Sequence, residues 1–169
     1  IAALKPGFFP NFILLPGFIT IALAFIRMSF ALSEANTAGT ERMSVSNTGQ
    51  VKVETELALD GVQVMATATG TTAAVTQTAI DTFAIATYRS AKYVVQAVDT
   101  VSNEYHVTEL LVIHDGTSAF ASEYGIIHTG SDTLATYDVD VNSGNVRLLA
   151  TPASTNSTQF KITRSTINV

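Results

Sequence analysis

The chain has 169 residues, no cysteine and a formal charge of −5, which excludes disulfides, thiolate metal sites and a Cys nucleophile. Nine basic residues stand against fourteen acidic ones; scattered as they are, they form no cationic cluster able to displace counterions, so no nucleic-acid partner is expected. Only 14% of residues are charged, against about 25% in a typical soluble domain, and Thr, Ser, Asn, Ala and Gly fill the difference, a balance that suits β-structure packed against copies of itself better than a freely monomeric enzyme.

The first residue is Ile, so the chain is processed, a fragment, or read indirectly. Between Lys5 and Arg27 there is no charge: "PGFFPNFILLPGFITIALAFI". The run is long enough for a spanning helix, but Pro6, Pro10 and Pro16 break its first half, leaving only Phe18 to Ala31 as a possible uninterrupted helix. A signal element is a second option, although no small-x-small cleavage site follows. The third is an extended apolar arm buried against neighbouring subunits, which the Pro spacing favours. A misassigned stretch of sequence is the fourth. The arm, residues 1–33, is the expected organisation, and a membrane partner is not expected.

Residues 34–78 form the next expected region, a small β part ending in an Ala/Thr-rich linker. Met43 and Val45, then Val51 and Val53, alternate with polar residues around "SNTGQ", a hairpin whose turn uses Asn47 and Gly49. Asp60-Gly61 signals another turn. "ATATGTTAAVTQTA" reads as a linker or a poorly specified strand.

Residues 79–169 are a succession of strand patterns. In "SAKYVVQAV", Tyr93, Val95 and Ala97 share one face. In "EYHVTELLVIH", Tyr105, Val107, Glu109, Leu111 and Ile113 do, and in "SAFASEYGIIH", Phe120, Ser122, Tyr124 and Ile126. In "LATYDVDV", Ala135, Tyr137, Val139 and Val141 face one way, Asp138 and Asp140 the other. "DTVSN", "HDGTS", "TGSD", "NSGN" and "STNS" are turns. Strands of this length with turns between them predict an all-β chain whose C-terminal part is an antiparallel, jelly-roll-like β-sandwich, preceded by the small hairpin region and the apolar arm. No sustained helical period interrupts them, which excludes a parallel α/β architecture.

Chemistry-bearing residues are few. His106 and His128 become cross-strand neighbours if "EYHVTELLVIH" pairs with "SAFASEYGIIH" across the "DGT" turn, and with Glu104 or Asp132 they would suit a metal; partly exposed polar positions are the plainer reading. Asp138 and Asp140 would suit Ca²⁺ or a glycosidase acid pair, or simply a solvated face. No nucleophile elbow, phosphate loop, dinucleotide fingerprint or zincin motif occurs. Tyr88, Tyr93, Tyr105, Tyr124 and Tyr137 all lie in strands, most of them as core or interface residues. No catalytic residue, cofactor or metal is expected.

Two segments resemble known proteins. "AGTERMSVSNTGQVKV" resembles a repeat of bacteriophage tail-fibre and appendage proteins. "YRSAKYVVQAVD…EYHVTELLVIHDGTSAFASEYGIIHTG…LATYDVDVNSGNVRLLATP" resembles a C-terminal domain of virion structural proteins of marine and cyanobacterial tailed phages, covering Ala79 to Val169. The resemblance implies a non-enzymatic virion component, a fibre, tail or capsid-decoration subunit. Its partners would be copies of itself in a trimer, other virion proteins and, in the alternative of a receptor-binding module, a host surface glycan.

Overall fold

The computed structural model describes residues 28–30, 43–54 and 56–169. The expected apolar arm falls outside the described residues, apart from the backbone of Met28–Phe30. That piece is an extended strand. Among the described residues no helix is long and apolar enough to cross a membrane.

The chain divides into two compact units, Ile1–Lys52 and Val53–Val169. In the first, β1 (Met28–Phe30), β2 (Met43–Val45) and β3 (Val51–Val53) form an antiparallel sheet in that order. The β2–β3 turn is the one expected from "SNTGQ". Ser46 donates its N–H to the Gln50 carbonyl at 2.8 Å, and Gly49 donates to Ser46 at 3.0 Å. Gly49 sits at φ 81, a conformation that glycine enters without steric cost.

The second unit holds β4 (Glu56–Leu59), β5 (Gln63–Thr72), β6 (Thr78–Ala84), β7 (Tyr88–Asp99), β8 (Glu104–His114), β9 (Ala119–His128), β10 (Ala135–Asn142), β11 (Asn145–Pro152) and β12 (Thr158–Asn168). One sheet has the order β4-β5-β12-β7-β8-β9 and the other β10-β11-β6. The two face each other as an antiparallel sandwich, without a closed barrel. The inward residues follow from period-two alternation. Ala91, Tyr93, Val95 and Ala97 of β7, Leu110 and Val112 of β8, and Phe160 and Ile162 of β12 meet Ile80 and Phe83 of β6, Ala135 and Val139 of β10, and Val146, Leu148 and Ala150 of β11. The β10–β11 turn has Ser143 at φ 49 and Gly144 at φ 79, the two positive angles that match a two-residue turn to the twist of its strands.

Of the two readings of the Ala/Thr-rich stretch, strand holds for residues 66–72, and residues 73–77 connect it to β6. The strand part forms most of β5, between β4 and β12. Its outward positions include Thr67 and Thr69, while small Ala66, Ala68 and Gly70 face inward. A Cβ at Gly70 would meet Ile80 at 3.7 Å, an ordinary van der Waals contact.

In β9 the alternation breaks. Gly125 adopts φ 66, and the β8–β9 register shifts between Val107 and Glu109. This bulge inserts one residue. Tyr124 pairs with Glu109, but it is Ile127, not Ile126, that pairs with Val107 and joins the Phe120–Tyr124 face.

Candidate functional site

An open groove lies on the outer face of the six-stranded sheet. It encloses about 620 Å³ and is lined by Val62, Leu111, Ile113, Phe120 and Ile167 together with polar Lys92, Ser122 and Ser165. These residues are outward because their strand neighbours are inward: Leu110 and Val112 are buried, so Leu111 and Ile113 must face away. The exposures are large for such side chains: Leu111 52%, Ile113 52%, Phe120 56% and Ile127 67%. Lys92 is the one ionic group of the groove lining, and its Nζ lies 2.8 Å from Glu109 Oε2 and 6.0 Å from the Tyr124 ring centre. The hydrogen bond to Glu109 holds Lys92 above the usual lysine range, and the same bond holds Glu109 below the usual carboxylate range. The face is therefore apolar and charge-compensated.

The inner face at the other end of β8 carries the histidine pair expected from the sequence. His106 and His128 are register partners, with ring centres 6.4 Å apart at 83°. They are not equivalent. His128 is exposed, with Nδ1 2.9 Å from the Gly130 carbonyl oxygen. His106 is 1% exposed, lies 6.0 Å from the Tyr137 ring, and has no hydrogen-bond partner at either nitrogen. Burial lowers its pKa against the opposing pull of Glu123, and His128 lowers it further. Burial likewise raises Tyr137, whose hydroxyl is also unpartnered. No group of three or more His, Asp or Glu side chains converges as a metal site among the described residues. His114, at the opposite end of β8, uses Nε2 on the Tyr88 carbonyl oxygen at 2.7 Å.

Asp138 and Asp140 do share the outer face of the three-stranded sheet, but they do different things. Asp140 pairs with Arg147, its register partner. Arg147 Nε donates to Asp140 Oδ1 at 2.7 Å, which holds the carboxyl below its usual range. Asp138 accepts from its neighbour's N–H (Val139) at 2.8 Å and, at 3.4 Å, from Gln77.

A smaller polar cleft of about 230 Å³ opens where the β7–β8, β9–β10 and β11–β12 turns meet. It is lined by Asp99, Ser102, Glu104, Asp132, Ser154 and Asn156, among others. Asp99 organises it. Oδ2 accepts from Asn156 Nδ2 at 2.8 Å, and Oδ1 accepts from the backbone N–H of Val101 at 2.8 Å and of Ser102 at 3.0 Å. The Asn156 bond, then these backbone bonds, push its pKa down to about 2.

One group escaped the sequence reading. Arg164 stands on the inner face of β12 between Ile162 and Thr166. Its Nη1 donates to Asp81 Oδ2 at 2.5 Å and to the Thr82 carbonyl at 2.7 Å, tying the large sheet to β6 of the small one. Both charged side chains are 11% exposed. The alternation in "QFKITRSTIN" was the available signal, since it aligns Arg164 with Phe160 and Ile162. The tyrosines divide: Tyr93 is fully buried, Tyr88 and Tyr137 pack against the core, and Tyr105 and Tyr124 are exposed.

No protein-family model matches the chain, and no curated protein matches it. Among solved structures the chain is similar to phage tailspikes. The tailspike of Acinetobacter baumannii bacteriophage Fri1, described as a capsular polysaccharide depolymerase, is 13% identical with a TM-score of 0.42 over 66% of this chain and 19% of that one. The tailspike of Acinetobacter phage vB_ApiP_P1 is 18% identical with a TM-score of 0.36, over 69% of this chain and 23% of that one. The tailspike of Acinetobacter baumannii phage AM24 is 13% identical with a TM-score of 0.30, over 62% and 26%. The chain thus spans about a quarter or less of these proteins' length. They come from Acinetobacter phages, and the marine and cyanobacterial attribution gains no support from them. The expectation of a chain without enzymatic activity is corrected: the first of these structures is described as a depolymerase, so absence of catalysis is not retained.

Proposed function

We propose that this chain is a subunit of a bacteriophage tail appendage, carried on the virion, that assembles with copies of itself into a trimer through the outer face of the six-stranded sheet. The observation that carries the assembly is that face. Val62, Leu111, Ile113, Phe120, Ile127 and Ile167 are each at least half exposed, which amounts to on the order of 600 Å² of apolar surface. Monomers seldom leave a patch of that size open to water, and a stable interface uses about 800 Å² per partner. The occupants are further copies of the chain because the one ionic group lining the groove, Lys92, is already compensated by Glu109, leaving the apolar patch no unpaired charge with which to recruit a partner of opposite charge. The phage-appendage resemblance of "AGTERMSVSNTGQVKV" and of the segment from Ala79 onward gives the assembly its setting.

Leu111→Glu puts an unpaired carboxylate at the centre of the patch. In sedimentation equilibrium the wild-type chain is expected to run as three copies. The variant is expected to dissociate roughly thirtyfold or more readily, the ~2 kcal/mol typical of an interface anchor. A wild-type chain that stays monomeric, or a variant that assembles unchanged, would refute this assembly.

A host surface polysaccharide is a second reading, favoured by the polar cleft, whose carboxylates and hydroxyls match the hydrogen-bonding groups of a sugar. Glu104→Gln and Asp132→Asn together are expected to weaken binding of capsular polysaccharide at least tenfold while leaving the melting temperature within a few degrees. Assaying the same samples for loss of polymer length reads turnover directly. Unchanged binding by the double variant would remove the cleft from consideration.

A further inference from the structure

We propose that His106 makes one end of the large sheet acid-labile: protonation of its buried imidazole releases β9 from β8 beyond the Gly125 bulge. The argument begins with what His106 lacks. It is 1% exposed and neither ring nitrogen has an acceptor or donor. A neutral ring tolerates such a site; an imidazolium there would bury a charge and two N–H donors with nothing to receive them.

The surroundings offer little compensation. From β9, His128 faces it edge-on and adds a second proton-binding group, and Glu123 supplies the one carboxylate of that strand. From β10 comes the phenol of Tyr137. From β7 come Ala97, its register partner, and further along the same face Asp99, already engaged by Asn156 and the Val101 and Ser102 N–H groups. Glu104 lies two residues earlier on β8 itself. From β12 the nearest inward residues are Phe160 and Thr158.

The segment poised to open is equally specific. β9 is an edge strand, paired only with β8, and every residue from Phe120 to His128 is exposed. The bulge divides its ladder. Beyond it only Ile127 and His128 pair with Val107 and His106, backed by the Thr129 N–H to the Tyr105 carbonyl at 2.9 Å. A short ladder at a sheet edge opens at low free energy, and opening hydrates His106.

The direction of the pH effect follows. The open state binds its proton with the ordinary histidine pKa of about 6.5, and the closed state binds it more weakly. Closed pairing is therefore fully stable above about pH 6.5. It weakens below that value, with the open population rising by at most tenfold per pH unit.

The test is native-state hydrogen exchange of the full chain between pH 7.5 and 5.5, corrected for the intrinsic pH dependence of exchange. Amides from Gly125 to Thr129 are expected to open several-fold more often at pH 5.5 than at pH 7.5, while those in the centre of β7 do not change. In ¹⁵N imidazole spectra His106 is expected to remain neutral at pH 6. His106→Leu, of similar volume, abolishes the pH dependence. Three results would each overturn the proposal: pH-independent opening in the wild type, the same slope in His106→Leu, or an ordinary His106 titration without change in exchange. The wild-type spectra decide even if the variant fails to fold. The readout is β9 itself, so the outcome does not depend on the assembly reading.

Discussion

Phe160→Ala is expected to lower the stability of the sandwich by about 3–5 kcal/mol, and its thermal midpoint by roughly 10–20 °C. Phe160 is 1% exposed and sits on β12, the strand between β5 and β7. Its ring meets Tyr137 edge-on at 6.4 Å and 81°, across the gap between the two sheets. Removing it opens a cavity in the middle of the core, where strands held on both sides cannot collapse to fill it. Phe160→Leu is expected to lose far less. Urea titration of the three proteins gives the comparison. An alanine variant within 1 kcal/mol of wild type would show that the sheets are not packed through this residue.

The second large effect is expected at Arg164 and Asp81. Either alone, as Arg164→Met or Asp81→Leu, leaves one buried charge without its counterion, at a cost of about 3–5 kcal/mol. The pair together, replaced by Met and Leu, is expected to recover most of that loss, because a well-packed apolar pair can equal a buried ion pair. The network is incompletely satisfied to begin with: Arg164 Nε and the hydroxyl of Tyr93, the register partner of Arg164, lack hydrogen-bond partners. The 5.9 Å approach of the guanidinium to the Phe83 ring adds a contact that Met preserves in part. A double-mutant cycle by urea unfolding measures the coupling; additive losses would mean that the two charges do not act together.

Strand existence from Tyr88 onward was legible because buried and exposed positions alternate cleanly, as in Tyr93, Val95 and Ala97 against Lys92, Val94 and Gln96. That β8 and β9 pair as a hairpin, with His106 and His128 near the same end, was legible because a short turn joins them, but the turn's own register would set Ile127 opposite His106, and it is the bulge that brings His128 there. β5 was not, because Thr and Ala serve a strand and a linker equally well and only its neighbours decide. The bulge at Gly125 was not, because one inserted residue leaves the pattern of types intact while exchanging Ile126 for Ile127. The apolar outer face was visible as Leu111 and Ile113 opposite Leu110 and Val112, but a strand apolar on both sides does not declare which side is the core. Arg164 and Asp81 lie in different strands, and nothing local joins them. Strand order was beyond reach too, since each β-strand carries its period but not the name of its neighbour.

That order has a consequence for how the molecule is made. The Gln63 side chain of β5 donates to Ser165 of β12, 102 residues later in the chain. At about 5–20 residues per second on the ribosome, that interval lasts roughly 5–20 s. Until it ends, β5 and β7 stand as two open edges with no rung between them, in the company of identical nascent chains doing the same. The middle of the sheet is the last part to be supplied, so for this protein the hazardous moment is birth, and helpers that shelter half-made sheets act where the finished structure no longer needs them.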